Sequence, residues 1–301
     1  MGEPQELFDR DLLVRRRNRI AKVAGDHAFL LDRVVMEFCE RIGGIKRTFE
    51  VGINLGAYNG VLSRELRSLD NIGLLIDVEP AIEMVKLCDG SRVVGDEAFL
   101  PFSNGVLDVV VSGLSLQFVN DLPGALIQIF RALKPDGLLM SALPGGETLT
   151  ELRQSWLVAE DELFGGASPR VAPCVDMRDL GSLLQRAGFA LPVVDKDRVC
   201  VTYPSALALM REIKGMGASN VLGGRMRKPV TRGLLQRACE VYQERFGLTG
   251  GRVPATFEIL TVTAWVPHHS QQRPLKPGSA KARLADALGV REIGTNEKPE
   301  P

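Results

Sequence analysis

An α/β fold with a largely parallel, helix-flanked sheet is predicted by three observations on this 301-residue sequence. From about residue 49 onward, short apolar and β-branched runs alternate with amphipathic helical patterns. The first run ends in a loop that contains Gly56 and Gly60 and leads into a helix. Acidic residues follow the next two runs, at Asp77 and Asp96. A strand, a glycine turn and a helix together present backbone N–H groups to a nucleotide in Rossmann-type sheets.

The N-terminal half supplies the alternating pattern. Residues 1–45 form a predicted helical segment, because apolar residues recur at three- and four-residue spacing before Gly43 and Gly44. Strands are predicted at 49–55, 73–77, 92–95, 107–112 and 137–143, with helices near 60–68, 80–87 and 121–133. This alternation indicates parallel strands joined by right-handed crossovers.

The C-terminal half departs from this pattern. A capping box at Thr148 and Glu151 predicts the start of a helix, and a second helix ends at Gly188. Further helices are predicted at 205–214 and 232–246, and two long strands at 193–203 and 255–267. We therefore expect a seven-stranded sheet over 46–267 whose last strand is antiparallel, with lid insertions at about 144–175 and 204–250. The tail, 268–301, is polar, and we expect partial disorder apart from a short helix near 282–288.

The charge composition limits the classes of partner that are expected. Lys+Arg and Asp+Glu are both 37, so the net charge is zero and no nucleic-acid partner is expected. The local run of arginines at 15, 16, 17 and 19 predicts either a solvated helix face or a contact for a partner or lipid surface, so peripheral membrane association stays open. No apolar run approaches the ~18 residues of a membrane span.

The five cysteines are dispersed and the N-terminus is too acidic for a transit peptide. We therefore expect a cytoplasmic protein in a bacterium, or one of the mitochondrial matrix side in a eukaryote.

Several residues at the predicted strand ends suit a nucleotide-like cofactor. The loop at Gly56, Ala57 and Gly60 allows close approach of the backbone, and the next helix offers N–H groups to a carboxylate. Asp77, followed by Val78, could accept both ribose hydroxyls, or it could cap the helix at 80–87. Asp96, with Glu97 second, could accept from an adenine amine, or it could be a turn acid. The predicted cofactor-binding set is Asn54, Gly56, Ala57, Gly60, Asp77, Val78, Asp96, Glu97 and Ser112.

The loop Asn54-Leu55-Gly56-Ala57-Tyr58-Asn59-Gly60 resembles the D-x-G-x-G-x-G motif of class I S-adenosylmethionine-dependent methyltransferases. The resemblance implies their Rossmann-like seven-stranded sheet, with helices on both faces, and S-adenosylmethionine as cofactor. Asn54 replaces the usual acid and Tyr58 replaces the middle glycine. An amide can orient the loop but supplies no negative charge, so weaker cofactor binding is expected.

A resemblance over most of the chain is carried by LFDRDL, DEAFLPF, VVVSGLSLQFVNDLPGAL, LKPDG, GGETLTELR, GGASPRVAP, DLGSLLQRAGF, VTYPSALALM, GMGASN and VPATFEI. These segments are similar to the mitochondrial complex I assembly factor 5 family and its bacterial relatives. That similarity implies a protein substrate, a respiratory complex I subunit, and hydroxylation of a protein arginine. A second similarity, to the malonyl-carrier-protein O-methyltransferases of biotin synthesis, implies an acyl-carrier protein as the alternative partner.

The substrate side is expected beyond the carboxyl ends of the strands. Gln117 and Tyr203 are the candidate catalytic residues, and each could instead be structural. The candidate substrate-binding residues are Phe118, Arg153, Met216 and Asn220, with core or lid packing as the alternative. No metal site is expected, because the three histidines, 27, 268 and 269, do not suit a facial triad.

Three readings of the function therefore stay open at this point: methyl transfer, arginine hydroxylation, and a non-catalytic assembly chaperone that uses the fold as a binding module. Methyl transfer from a sulfonium depends chiefly on alignment, so the lack of an obvious catalytic histidine does not count against it.

Overall fold

A seven-stranded sheet organises the molecule in the order β3-β2-β1-β4-β5-β7-β6. The computed structural model describes residues 6–271 and 284–291. The chain divides into two compact units, Met1–Pro267 and His268–Pro301. Six strands run in the same direction, whereas β7 runs antiparallel to both of its neighbours, β5 and β6. The predicted class, a Rossmann-like sheet whose last strand is antiparallel, is confirmed.

The strands are β1 Phe49–Leu55, β2 Ile72–Glu79, β3 Arg92–Val94, β4 Leu107–Gly113, β5 Leu133–Pro144, β6 Ala190–Tyr203 and β7 Val253–Trp265. The α-helices of the first unit are α1 Arg10–Ile20, α2 Phe29–Gly43, α3 Val61–Leu66, α4 Ile82–Val85, α5 Leu122–Ala132, α6 Thr150–Phe164, α7 Met177–Ala187, α8 Ala206–Gly215 and α9 Arg232–Phe246. In the second unit, α10 spans Leu284–Leu288, within the predicted short helix; most of the predicted disordered tail lies outside the described residues.

Both faces of the sheet are covered, which is why its central strands read as continuous apolar runs. One face packs against α5 and α7 through residues such as Leu126 and Leu184. The other packs against α2 and α3 through residues such as Phe38 and Leu62. A separate apolar cluster, called the lid cluster below, joins α6, α8 and α9 to the start of β7; these helices belong to the two segments for which lid insertions are predicted.

The start of α6 differs from the predicted capping box. Its first turn follows Leu149, whose φ is 54°, and no side chain caps it. Thr148 Oγ1 donates instead to the Glu258 carbonyl at 3.0 Å, and the Glu151 carboxylate accepts from Thr256 Oγ1 at 2.5 Å. Both side chains of the sequence motif are therefore bonded to β7 rather than to each other.

No helix in the described ranges is long and apolar enough to cross a membrane.

Candidate active site at the carboxyl edge of the sheet

The loop between β1 and α3 is held in a left-handed conformation at alternate residues. Gly56, Tyr58 and Gly60 have φ values of 70°, 54° and 74°. A Cβ on Gly56 would lie 2.0 Å from the Ser115 hydroxyl oxygen, and one on Gly60 would lie 2.9 Å from the Cys88 Cα. Only glycine fits these two positions. Tyr58 takes the same conformation with a side chain, at a cost of ~1–2 kcal/mol.

The N–H groups of this loop are largely used within the protein. Gly56 N and Ala57 N donate to the Val78 carbonyl at 2.8 and 3.0 Å, and Gly60 N donates to the Ala57 carbonyl at 2.9 Å. Tyr58 N donates to Glu79 Oε2 at 3.0 Å. The predicted cradle of free N–H groups is therefore not present at these four residues. Ala57 and Val78 are buried and shape the loop through their backbones.

Asn54 and Asp77 form a buried pair beside α3. Asn54 Nδ2 donates to Asp77 Oδ1 at 3.0 Å and to the Ser63 hydroxyl at 2.8 Å, while Asp77 Oδ2 is 2.8 Å from an Arg67 nitrogen. Asp77 is 1% exposed and both of its oxygens are engaged. The negative charge that is missing at position 54 is thus present on the neighbouring strand. Asp77 holds α3 to the sheet rather than facing the cleft where it was expected.

Glu79 lies two residues further along β2 and is also buried, 0% exposed. Its carboxylate accepts from Tyr58 N and from Ala81 N, each at 3.0 Å, and it pairs with Arg17 Nη1 at 3.0 and 3.1 Å. Positions two apart lie on the same face of a strand, so Glu79 is the acid at the carboxyl end of that face.

Two arginines of α1 neutralise the acids around this edge. Arg17, which is 4% exposed, lies between Glu79 and Glu97; the nearest oxygen of Glu97 is 3.6 Å from its Nη1. Arg10 binds Asp96 at 2.8 Å and also contacts the Glu97 carboxylate. Asp96, following β3, keeps a side chain that is 37% exposed, so it is the acid of this group that solvent reaches most readily.

These contacts move the pKa values in opposite directions. Burial raises the pKa of Glu79, and the neighbouring Arg17 only partly counters that rise. Burial also acts on Glu97, but Arg17, Arg10 and the hydrogen bond from Ser115 outweigh it and hold its pKa below the usual range. Burial raises the pKa of Tyr58 to about 12, so its hydroxyl stays neutral and donates to the Met216 carbonyl at 3.4 Å.

A cavity of about 690 Å³ adjoins the loop and extends under the lid. Its wall begins with Arg17, Gly56, Tyr58 and Gln117 and continues along apolar and aromatic side chains of α2, α6, α8 and β7. Volumes of this size are typical of small-molecule and substrate pockets.

Four of the predicted substrate-side residues line this cavity: Gln117, Phe118, Met216 and Asn220. Gln117 is fixed by donation from Nε2 to the Leu114 carbonyl at 2.6 Å, while its Oε1 is buried without a hydrogen-bond partner. Phe118 stacks edge-on with Phe8, and Arg17 lies over its ring.

The structure does not bring the other predicted residues to the cavity wall. Tyr203 is 8% exposed and packs in the lid cluster, where burial raises its pKa to about 12. Arg153 donates to the Thr148 carbonyl at 3.2 Å. Ser112, also fully buried, donates to the Leu55 carbonyl at 2.8 Å and joins β4 to β1. The contacts of these three residues therefore stabilise the fold and do not face the cavity.

The residues between 216 and 225 connect the cavity wall to α1. Asp9 N donates to the Val221 carbonyl at 2.8 Å, and the Asp9 carboxylate pairs with Arg225 at 2.9 Å. Arg16 Nη1 donates to the Asn220 carbonyl at 2.7 Å. The arginines of this run therefore have different environments: Arg17 is buried in the site, and Arg16 binds the segment around Asn220. The run does not form a uniformly solvated helix face.

The residues at this edge of the sheet have groups suited to the nucleoside of the expected cofactor but not to its amino-acid end. Carboxylates are the groups that ribose hydroxyls and an adenine amine require, and three lie at the ends of β2 and β3, but Glu79 and Glu97 are buried and paired with Arg17 and Arg10. The amino-acid carboxylate finds no free N–H at Gly56, Ala57, Tyr58 or Gly60. No group of three or more His, Cys, Asp or Glu side chains suited to a metal ion occurs within 6–271 or 284–291.

Comparison with known proteins agrees with this architecture. Residues 53–141 match the family model described as "Methyltransferase domain". The cofactor of this domain is S-adenosylmethionine. The YcgJ protein of Bacillus subtilis superposes with a TM-score of 0.55 at 11% identity, covering 78% of this chain and 99% of that one. This likeness shows the fold alone.

Sequence relatives extend over nearly the full chain. The protein named arginine-hydroxylase NDUFAF5, mitochondrial, of Danio rerio is 36% identical over 97% of this chain and 92% of its own length. The human protein of that name is 39% identical over 93% of this chain and 83% of its own. A malonyl-[acyl-carrier protein] O-methyltransferase of Gallionella capsiferriformans is 31% identical over 87% and 92%.

Proposed function

Since the chain belongs to the methyltransferase-fold family that contains the NDUFAF5 arginine-hydroxylases, we propose that it hydroxylates an arginine side chain of a protein substrate during the assembly of respiratory complex I. Four relatives that carry this name match 93–97% of the chain at 36–39% identity. The match to the general methyltransferase domain covers residues 53–141 only. The full-length similarity therefore weighs more in choosing the substrate.

The observation that carries the proposal is the unpartnered acceptor on the cavity wall next to the cofactor loop. Gln117 Oε1 is buried, has no hydrogen-bond partner and is held in place through Nε2. An unpaired buried acceptor is costly, about 1–3 kcal/mol, and an N–H group of a guanidinium would satisfy it. Tyr58, Phe118 and Trp156 contribute aromatic groups to the same wall, which suits a planar cation and its methylene stem.

Glu258 offers a second acceptor further along the wall. It is 5% exposed, and its Oε2 forms an ion pair with the exposed Lys196 Nζ at 3.2 Å. A substrate guanidinium would replace that ammonium as the partner of the carboxylate, which favours a cationic substrate over a neutral one. We propose that Gly56, Gly60, Glu79, Asp96 and Glu97 form the cofactor side of the site and that Gln117 and Glu258 face the substrate.

The reaction requires more than the chain itself. Insertion of one oxygen atom of O2 into a C–H bond consumes two electrons and two protons, and the other oxygen atom leaves as water, so a cell-free assay should contain air and an extract of a deletion strain as the electron source. The S-adenosylmethionine dependence is tested in the same mixture by omitting the cofactor. The product is an arginine that has gained one oxygen atom in the mass spectrum of a complex I subunit.

The test compares the wild type with Gln117→Ala, and Gln236→Ala serves as a matched control. Gln236 is exposed on α9 and bonds to Glu240 at 2.8 Å, far in sequence from the loop. We expect Gln117→Ala to lower product formation about tenfold or more, since one hydrogen bond to a charged group is worth roughly 1.5–3 kcal/mol. Equal products from the two variants would remove Gln117 from the substrate site, and no oxygen gain with the wild type would contradict the proposal.

A second candidate is methyl transfer to a malonyl group on an acyl-carrier protein. The observation that favours it is a pair of exposed cations on α8, Arg211 and Lys214, which line the cavity and have no ion-pair partner among the described residues. Cations there suit an anionic substrate. A methyl ester on the carrier-bound acyl group, with no change to complex I arginines, would support this candidate. Absence of both products despite cofactor binding would support a non-catalytic assembly role.

A further inference from the structure

The amino-acid end of the cofactor needs a partner other than the N–H groups of Gly56, Ala57, Tyr58 and Gly60. S-adenosylmethionine carries a carboxylate, an ammonium and a sulfonium at this end. The N–H groups of Gly56, Ala57, Tyr58 and Gly60 are already donated to the Val78 carbonyl, the Ala57 carbonyl and Glu79. Val61 N, at the start of α3, lies 3.3 Å from the Asn59 side-chain oxygen. With only six residues, α3 also offers little dipole.

Arg17 is the cation placed to fill this gap. It lies on the cavity wall with Gly56 and Tyr58, and its Nη1 is committed to Glu79. Its Nη2 is 3.3 Å from the Ser115 hydroxyl oxygen, a long and weak contact. A guanidinium has five N–H donors, so Arg17 retains donors beyond those bonds. Its position between Glu79 and Glu97 orients the group and keeps it charged.

We propose that Arg17 of α1 binds the amino-acid carboxylate of the cofactor. This inference rests on the proposed function only in that the cofactor is used at this site. Glu79 holds Arg17 from one side, and the cofactor carboxylate completes its hydrogen bonds from the cavity side. α1, which precedes the methyltransferase domain in sequence, is by this assignment part of the cofactor site. Because Arg16 and Asp9 bind residues 220–225, the same helix links cofactor binding to the substrate wall.

A comparison of two ligands distinguishes the proposed contact with the amino-acid carboxylate from contacts with the nucleoside. S-adenosylhomocysteine has the amino acid, whereas 5′-methylthioadenosine has the same nucleoside and a thioether without it. Affinities of both for the full chain are measured by calorimetry with the wild type, Arg17→Ala and Arg17→Lys. Arg19→Ala is the matched control, because Arg19 lies on the same helix and is exposed.

We expect Arg17→Ala to weaken S-adenosylhomocysteine about tenfold to a hundredfold, as for loss of a charge-assisted hydrogen bond. The affinity for 5′-methylthioadenosine should stay within about twofold, and Arg19→Ala should change neither. Arg17→Lys should lose part of the discrimination, since an ammonium keeps the charge without the planar fork. Arg17→Lys also allows the comparison if Arg17→Ala fails to fold, because the lysine leaves a cation beside the buried acids Glu79 and Glu97.

Three outcomes would overturn the assignment. Equal weakening of both ligands would make Arg17 a structural residue, and no change in either would remove it from the site. Tighter binding of both would mean that Arg17 competes with the ribose for Glu79. A wild type that binds neither ligand would instead count against the cofactor site as a whole, so the two failures are distinguishable.

Discussion

Replacing Glu79 by Gln should weaken the cofactor far more than replacing Asp77 by Asn. Glu79 ends β2 behind Arg17, which lines the cavity; its carboxylate accepts from two backbone N–H groups and pairs with that arginine. Its loss of charge removes the ionised acceptor proposed for the ribose hydroxyls. A hydrogen bond to a charged group is worth about 1.5–3 kcal/mol, which corresponds to about a tenfold to hundredfold loss of S-adenosylhomocysteine affinity.

The matched variant, Asp77→Asn, should act on stability instead. Asp77 is 1% exposed, and its Oδ2 is 2.8 Å from Arg67. Losing that charge should lower the free energy of unfolding by about 1–3 kcal/mol while affinity stays within about twofold. Calorimetry and urea unfolding on both variants give the four numbers needed. The reasoning is refuted if Asp77→Asn weakens the cofactor as much as Glu79→Gln does.

Three further predictions concern the loop and its acids. Asn54→Asp should destabilise the fold by placing a second carboxylate about 3 Å from Asp77, and the double variant Asn54→Asp/Asp77→Asn should recover part of that loss in urea unfolding. Gly56→Ala should lower the melting temperature sharply, because its Cβ would meet a serine hydroxyl at 2.0 Å, whereas Gly25→Ala, with no atom within 4 Å, should not. Glu97→Gln should flatten the acid side of the stability–pH curve relative to the wild type.

The sign of the pH effect follows from the lowered pKa of Glu97. The folded state holds its carboxylate ionised more strongly than the unfolded state does, so this stability is complete above the ordinary value of about 4.5 and is lost as the pH falls through the lowered pKa. Glu79 acts in the opposite sense, because its raised pKa makes acidification favour the folded state. A wild-type curve no steeper than that of Glu97→Gln would contradict this balance. The Asn54 prediction is contradicted if the double variant Asn54→Asp/Asp77→Asn is no more stable than Asn54→Asp alone. The Gly56 prediction is contradicted if Gly56→Ala and Gly25→Ala lower the melting temperature equally.

The fold could be predicted because its signals are repetitive. Buried strands read as apolar runs, glycines mark the turns, and each helix of the first half follows a strand. The antiparallel β7 was also predicted, because two long strands follow the five-strand alternating run. Local polar chemistry was harder to assign: Thr148 and Glu151 have the spacing of a capping box, but β7 offers them stronger partners.

The site residues were predicted only in part, and the reason is periodicity. Asp77 and Glu79 are two apart on one strand, so alternation places both on the same face and cannot tell which reaches the cleft. The arginine run had a similar ambiguity. Leu13 and Arg17 share a helix face at i,i+4, a spacing that could have marked Arg17 as the buried member.

We propose that this chain modifies a protein arginine during complex I assembly in a cofactor-dependent way. The most direct test is mass spectrometry of complex I subunits from a deletion strain complemented with the wild type or with Glu79→Gln. We predict that one arginine carries an added oxygen atom with the wild type, and that the modification is absent from the deletion strain and strongly reduced with Glu79→Gln. Identical arginine masses in all three strains would contradict the account.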